Sequence, residues 1–337
     1  MKYFVTGGAG FIGSALIRHL ILNTEDEVLN FDKLTYSGNL DSVKRVSKSC
    51  RYKFVKGDIN NKDLLSNIFD EYNPDYIMNL AAETHVDKSI TNPYKFIETN
   101  ICGTYNLLLA AQEYWNRSAN NKKKVFRFHH ISTDEVFGSL SSIGLFSEKS
   151  QYNPSSPYSA SKASSDHIVK AWFKTYGLPI LITNCSNNYG PYQNKEKLIP
   201  CMIKNALNKE ILPIYGDGQN IRDWLYVEDH VAALLLVIKK GIVGETYNIG
   251  GNCEKTNLEV VNLVCDNIRQ SKFLRKEESF DYQKLIKFVR DRPGHDYRYA
   301  IDSSKIKKEI GWYPKETFET GLKKTVDWYL RNIIFLN

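Results

Sequence analysis

Short apolar runs alternate with longer amphipathic stretches through the first 183 residues of the chain. The runs Lys2–Thr6, Glu27–Phe31, Tyr52–Lys56, Asp75–Leu80, Val125–Ile131 and Leu178–Thr183 have strand length. Between them, Phe11–Leu22, Lys62–Tyr72 and a long stretch from about Pro93 to Asn116 carry apolar residues at helical spacing. Strands that alternate with helices predict a parallel sheet covered on both faces. The expected fold class is therefore α/β, a Rossmann-like doubly wound parallel sheet.

Beyond residue 183 the pattern changes. Asn184-Cys185-Ser186-Asn187-Asn188-Tyr189-Gly190-Pro191 is polar and rich in turn formers. A smaller mixed α/β lobe is expected from here, built from 186–224 and 251–325. Residues 1–185 are expected to form the first, sheet-bearing domain, and 225–250 to return to it through a helix at Val227–Lys239 and a strand ending at Tyr247-Asn248-Ile249-Gly250. The tail from Asp302 to Leu330 reads as two helices broken near Gly311-Trp312-Tyr313-Pro314. Residues 139–156, rich in Ser, Pro and Asn, read as a loop, and Lys122-Lys123-Lys124 as a solvated loop before a strand.

Composition narrows the function classes. Hydrophobic residues make up 42% of 337, and charged residues 25%, which fits a soluble globular protein. No apolar run approaches the length of a membrane span. The chain opens directly on a strand with no leader, so a cytoplasmic location is expected. Six cysteines are scattered without a C-x-x-C pair, which suits reduced structural thiols. The net charge of +7 is dispersed apart from Lys122–Lys124 and a basic region at 269–292, with no aromatic-interleaved basic surface for nucleic acid.

The first chemistry-bearing motif is Gly7-Gly8-Ala9-Gly10-Phe11-Ile12-Gly13, between a strand and a helix. Glycines there let the backbone turn tightly and approach a pyrophosphate at the helix N-terminus. Asp32 ends the second strand about 20 residues beyond the last glycine, where a carboxylate binds ribose hydroxyls and repels a 2′-phosphate. The cofactor expected is NAD rather than NADP. Asp58 and Ile59 follow the third strand as an adenine-edge contact, and small Ala81 and Ala82 follow the fourth after Leu80. Lys33, Leu34, Thr35, Thr99 and Asn188 complete the candidate cofactor contacts.

Glu83-Thr84-His85-Val86-Asp87 alternates metal-ligand types, but alternate residues of a loop rarely converge on one ion, so no metal is expected. Thr84 and His85 are taken as pocket-lining residues. His129 and His130, adjacent on a strand, point to opposite faces and read as satisfied core histidines. At the end of that strand stands Ser132-Thr133-Asp134-Glu135. Open α/β sheets bind ligands at the carboxyl ends of their strands. Two adjacent carboxyls there suit proton transfer better than stability. Downstream, Tyr158 and Lys162 are four apart on a predicted helix and share a face. An ammonium one turn away favours the phenolate, so the pair reads as a general base and its partner. Arg222 and Arg292 are candidates for a diphosphate, and Tyr215 for packing on a base or sugar.

These segments resemble the extended short-chain dehydrogenase/reductase family of nucleotide-sugar enzymes, and within it the 4,6-dehydratases. The likeness spans essentially the whole chain: TGGAGFIGS, NFDKLTYSGN, GDI, NLAAETHVD, ISTDEVFG, PYSASKASSDH, NCSNNYGPY, EKLIP, YGDGQNIRDWLYVEDH, YNIGGNCEKTN and DRPGHDYRYAID occur in family order. The Thr-Asp-Glu triplet discriminates, because the family's epimerases usually lack the acid pair. Phe137 stands where the family often has tyrosine, and Tyr192-Gln193-Asn194-Lys195 departs from its usual Phe-Pro-containing form.

The resemblance implies dehydration of a dTDP-linked glucose. Tyr158 takes the O4 proton as C4 gives hydride to NAD, Thr133 holds the same oxygen, and Lys162 binds the cofactor ribose. Glu135 removes the C5 proton, Asp134 protonates the leaving C6 hydroxyl, and hydride returns to C6. It also implies substrate contacts from Asn187, Lys197, Leu198, Pro213, Tyr215, Arg222, Asn257, Arg292 and His295. A homodimer through helices near 95–115 and 158–175 is implied as well. Two other readings stand beside this one: a UDP-sugar 4-epimerase or decarboxylase, and a non-catalytic NAD-binding protein on the same scaffold.

Overall fold

The computed structural model describes residues 1–274 and 280–336; residues 275–279 of the basic region lie outside the described part. Among the described residues twelve strands run in chain order: β1 Lys2–Thr6, β2 Glu27–Asp32, β3 Tyr52–Lys56, β4 Tyr76–Asn79, β5 Arg127–Thr133, β6 Ile180–Cys185, β7 Asn187–Tyr189, β8 Leu212–Tyr215, β9 Ile221–Tyr226, β10 Thr246–Ile249, β11 Glu254–Thr256 and β12 Ile286–Val289. Seven form one parallel sheet in the order β10-β6-β5-β4-β1-β2-β3. From β1 the chain winds one way through β2 and β3, then the other way through β4, β5 and β6. The strand order reverses at the β1–β4 neighbourhood, so a crevice opens there at the carboxyl ends.

Alternation along β1 explains the layering. Tyr3 and Val5 face a core completed by Leu16, Leu20, Val231 and Leu234 from the helices Phe11–Asn23 and Val227–Lys240. Phe4 faces the opposite core with Phe69, Leu107 and Val169, from the helices Lys62–Tyr72, Thr104–Arg117 and Pro157–Tyr176. A third core of Tyr189, Ile203, Trp224, Val261, Phe318 and Tyr329 lies among the helices Leu198–Leu207, Asn257–Gln270 and Phe318–Arg331. Beside it are a small sheet ordered β11-β9-β7 and the parallel pair β12-β8.

Three local readings are corrected. Lys122–Lys124 sit in a short helix, Asn120–Val125, and β5 starts at Arg127. Lys122 Nζ reaches Asp75 Oδ1 at 2.5 Å and Asn73 O at 2.7 Å, which ties the turn down. The long helix from 93 is not continuous: Tyr94–Phe96 leads into a π-helical stretch, Ile97–Gly103, before the regular helix starts at Thr104. Last, β5 and β6 run two residues further than expected, to Thr133 and Cys185, because Ser132 and Thr133 pair with Asn184 and Cys185.

Candidate active site

The helix Pro157–Tyr176 is set by its start. Ser156 and Ser159 form a capping box, Pro157 occupies the first turn, and Gly177 ends the helix in the left-handed region. That registers Tyr158 and Lys162 against the end of β5. Lys162 Nζ donates to Ile131 O at 2.9 Å. Thr133 ends β5 and its Oγ1 accepts from Glu135 N at 3.2 Å, fixing a 3-10 turn over Asp134–Phe137. Asn184 Nδ2 holds Thr133 O at 3.0 Å from β6. Thr133, Asp134, Glu135, Tyr158 and Lys162 thus converge on one cleft of about 300 Å³ at the carboxyl end of the sheet.

The acids are electrostatically unequal. Burial pushes Asp134 well above the usual carboxylate range, and the charges of Glu135 and Asp223 add to it. Its Oδ2 is buried without a hydrogen-bond partner among the described residues, as suits a carboxylic acid awaiting an acceptor. Burial raises Glu135 too, but the cations of Arg292, Lys197 and Arg222 pull it back. One acid is placed to hold a proton and the other to give its proton up.

Tyr158 requires a change to the expected picture. Burial, followed by the Glu135 charge, holds its phenol well above the ordinary value, while Lys162 aims its ammonium at the Ile131 carbonyl. Burial also lowers Lys162, opposed by the charges of Asp166 and Cys185. Burial thus favours the phenol form of Tyr158, and a nearby positive charge is what can offset it.

The other half of the cleft is lined by Gly7, Gly10, Phe11, Ile12, Gly13, Asp32, Lys33, Thr35, Asp58, Ile59, Leu80, Ala81, Ala82, Thr99 and Asn188. Gly7 has φ +68°, and a Cβ there would lie 2.7 Å from Ala81 N; one on Gly13 would lie 2.3 Å from Gly7 O. No larger residue fits this turn. The helix from Phe11 begins at Gly10 with no side-chain cap and no acid in its first turn, leaving its N–H groups open to an anion. Asp32 is oriented by Ala9 N at 2.9 Å and Leu34 N at 2.7 Å. Lys33 is paired with Asp58 at 2.6 Å, so its charge is already matched and does not invite a 2′-phosphate. These residues fit a dinucleotide with a free ribose diol. Leu34, at φ +57°, lies outside the lining and serves through its backbone.

Of the expected substrate contacts, Thr84, Thr133, Asn187 and Lys197 line the cleft, and Lys197 Nζ donates to Thr84 O at 3.1 Å. His85, Leu198, Pro213, Tyr215, Arg222, Asn257, Arg292 and His295 lie outside that lining. Arg222 stacks 4.4 Å from the Tyr299 ring and donates to the carbonyls of Ile221 and Asp296 at 2.7 and 3.0 Å. Arg292 faces Asp87 at 3.5 Å, and Asp87 also accepts from Tyr215 Oη at 3.3 Å. His295 Nδ1 lies 2.7 Å from Asp291 Oδ1. The Glu83–Asp87 string diverges: Glu83 lines the cleft, His85 faces Glu196 at 3.6 Å, and Asp87 faces Arg292.

The sequence reading missed several lining residues: Ser37, Gly38, Glu83, Cys185, Ser186, Gln193 and Asn194. Asn100 is a further one in effect, since it clamps Glu83 through both backbone groups at 2.8 and 3.1 Å and donates to Ser161 Oγ at 2.8 Å. Its place in the π-helical stretch is the signal, and no local pattern announces it. Phe137 stacks on Phe146 at 5.2 Å, a packing role.

Comparison with known proteins follows this geometry. The sequence profile of a family described as GDP-mannose 4,6 dehydratase matches residues 4–325. A dTDP-glucose 4,6-dehydratase of Escherichia coli is 56% identical over 341 residues, covering 98% of this chain and 94% of the relative. One from Salmonella typhimurium is 57% identical, with 100% and 95% covered. Among solved structures, the dTDP-glucose 4,6-dehydratase from Bacillus anthracis in complex with NAD is 47% identical with a TM-score of 0.87, covering 99% of this chain and 98% of that one. A UDP-glucose 4-epimerase from Thermotoga maritima with UDP-glucose shares 29% identity and a TM-score of 0.86, with 99% and 100% covered.

Proposed function

The chain belongs to the dTDP-glucose 4,6-dehydratase family, and on that premise we propose how its residues divide the dehydration of dTDP-glucose to dTDP-4-keto-6-deoxyglucose. The chain is an NAD-dependent hydro-lyase. NAD supplies a hydride acceptor at C4 and a hydride donor at C6, so oxidation makes the C5 proton acidic and the cofactor ends as it began.

The protein's part is proton movement and orientation. Tyr158 Oη, as the phenolate that the neighbouring Lys162 ammonium favours, takes the O4 proton, and Thr133 Oγ1 donates to the same oxygen. Asp134 donates to the departing C6 hydroxyl. Glu135 takes the C5 proton and later returns it. Lys162 holds the ribose next to the reacting carbon. Gly7, Gly10 and Gly13 bring the backbone to the pyrophosphate, and Asp32 takes the adenosine ribose diol. Asn187 and Lys197 meet the nucleotide sugar in the cleft, with Arg222 and Arg292 behind them as a positive wall for the diphosphate.

One observation carries the reading: a buried carboxylic acid and a cation-flanked carboxylate stand side by side at the end of β5, beside a Tyr/Lys pair. An epimerase has no elimination step for the acids to serve. Incubation with dTDP-glucose and with UDP-glucose, followed by mass analysis, tests the proposal. Loss of one water from the dTDP sugar is expected, and an epimerised sugar of unchanged mass overturns it.

We also infer a cytoplasmic homodimer that buries the outer faces of the helices Thr104–Arg117 and Pro157–Tyr176. Exposed Ile97, Tyr105 and Tyr176 support that face, with Trp172 meeting the two tyrosines edge-on at 5.7 and 5.3 Å. Light scattering at micromolar concentration tests it, and a monomeric mass overturns it.

A further inference from the structure

Beneath Lys162, one helical turn on, lies a charge that the mechanism above does not use. Asp166 is fully buried, and its carboxylate collects donors from three other segments. Ser132 Oγ and Tyr152 Oη each donate to Oδ2 at 2.9 Å, and Asn184 Nδ2 donates at 3.2 Å. His130 Nε2 lies 3.3 Å from Oδ1. The proton on that ring can be placed. Ala81 N donates to Thr6 Oγ1 at 3.1 Å, so the Thr6 hydroxyl hydrogen goes to Asn79 Oδ1, at 2.8 Å. The Asn79 amide then presents Nδ2 to His130 Nδ1 at 3.1 Å. With Nδ1 accepting, the ring hydrogen sits on Nε2 and faces Asp166.

A carboxylate taken fully out of water is costly unless it is paired and hydrogen-bonded. Three donors meet Oδ2, and Oδ1 has only the His130 ring 3.3 Å away, with no hydrogen bond among the described residues. Lys162, one helical turn back on the same face, donates to Ile131 O next to Ser132, so the two buried charges flank one stretch of β5. Burial and the Lys162 ammonium push His130 down to about 4, so its ring is neutral at pH 7 and faces Asp166 without supplying a charge. Burial works to raise Asp166, yet His130, Lys162 and Ser132 together hold it below the usual carboxylate range.

We propose that Asp166 is a positioning residue of the active site, the buried counter-ion that keeps Lys162 charged and aimed at the end of β5. It touches neither substrate nor cofactor and acts through Lys162. Ala81 lines the cleft, so the hydrogen-bonded chain Ala81–Thr6–Asn79–His130 runs beneath the cofactor wall and sets, from β1, β4 and β5 at once, the ring that faces the carboxylate. Other titratable groups face this pair from every side: Tyr158 and Lys170 on the same helix, Cys185 at the end of β6, and Tyr152 from the 139–156 loop. Cys185 stays a thiol, since burial pushes it up to about 12, and Tyr152 stays a phenol. Among these groups Asp166 is the lasting anion.

The pH arm of the test rests on the role given to Lys162 above; the stability arm does not. Asp166→Asn keeps the shape and removes the charge. The lysine then loses its proton at lower pH, so the alkaline limb of the rate of substrate-driven NADH formation moves to lower pH. A shift of about 1–3 pH units is expected for loss of an opposite charge at this range. Tyr152→Phe disturbs the same carboxylate but leaves its charge, and the limb stays where it is. An unmoved limb in Asp166→Asn together with a melting cycle that keeps its sign, or an equal shift in Tyr152→Phe, overturns the proposal.

The second arm needs no activity. Asp166→Asn is expected to lower the melting temperature of the wild-type chain. In a Lys162→Met background, where the anion has lost its cation, the same change is expected to raise it. An equal drop in both backgrounds shows Asp166 to be packing alone and overturns the pairing. A limb that fails to move beside a melting cycle that changes sign faults the role of Lys162 instead.

Discussion

Replacing Glu135 by glutamine separates the two halves of the reaction. The side chain keeps its volume, and its backbone stays held by Glu135 N donating to Thr133 Oγ1 at 3.2 Å. What disappears is the base proposed for C5 and one negative charge. A positioned general base is worth about 10²–10⁴-fold, or roughly 3–5 kcal/mol of barrier, and elimination is expected to slow by that factor. Oxidation at C4 responds differently. The Glu135 charge is the largest influence on the Tyr158 phenol after burial, and it works against the phenolate. Removing it makes Tyr158 easier to ionise, so hydride transfer from C4 persists. Enzyme-bound NADH should therefore build up on addition of dTDP-glucose, visible as near-ultraviolet absorbance, with 4-keto sugar trapped in the site. In deuterated water the wild-type product should carry deuterium at C5, and the variant should carry almost none. If Glu135→Gln releases water from the sugar at the wild-type rate, or if wild-type C5 takes up no solvent deuterium, the assignment of base and acid is wrong.

Other outcomes follow from the same site. Asp134→Asn should slow elimination less than Glu135→Gln does, because water can protonate the leaving hydroxyl; product release in a quenched time course compares the two, and a greater loss for Asp134→Asn reverses their roles. Tyr158→Phe should bind dTDP-glucose yet form no bound NADH, read by the same absorbance; formation at the wild-type rate excludes the phenol as base. Asp32→Ala should weaken NAD binding about 10- to 100-fold, since a charge-assisted hydrogen bond contributes about 1.5–3 kcal/mol; a titration with unchanged affinity removes Asp32 from the ribose site. Burial pushes His129 and His230 down to about 3 and His130 to about 4, from 6.5. Depressed values mean that the unfolded chain binds more protons, so this stability is present above about 6.5 and is lost as pH falls toward 3–4. Melting temperatures should drop across that window, and a flat profile would show that the buried histidines carry no such linkage.

Much of this site was legible because its chemistry sits in contiguous strings. Gly7 to Gly13, Thr133 to Glu135, and the Tyr158/Lys162 spacing each lie within one turn or one loop, where local geometry forces the arrangement. The parallel sheet was legible for a similar reason: strands buried on both faces read as apolar runs. What escaped was set by tertiary contact. Asn100 matters because a π-helical stretch turns its amide onto Glu83, and Cys185 because β6 continues two residues to match β5. The helix at Asn120–Val125 has lysines in its sequence that read as solvated loop, yet Lys122 pairs with Asp75 across the turn. Arg222 reads in the sequence as a candidate for a diphosphate, and nothing local announces that its guanidinium also donates to the carbonyls of Ile221, Tyr297 and Asp296 and lies over the Tyr299 ring. A single residue's type gives its chemistry, but its partners come from segments dozens of residues away.

The divided acid pair depends on just such distant partners. Asp134 and Glu135 are neighbours in sequence and desolvation raises each, so local context alone would raise both. Three cations make the difference, and all come from later in the chain: Lys197 ahead of the helix Leu198–Leu207, Arg222 on β9, and Arg292 after β12. They act most on Glu135 and leave Asp134 facing its neighbour's charge. In the proposed function the same cations also meet the diphosphate. Once that anion shares them, less positive charge is left to Glu135, and its carboxylate becomes a stronger base for C5. Binding the nucleotide end thereby contributes to chemistry at the sugar end, which is the differential use of binding energy that raises turnover rather than affinity alone.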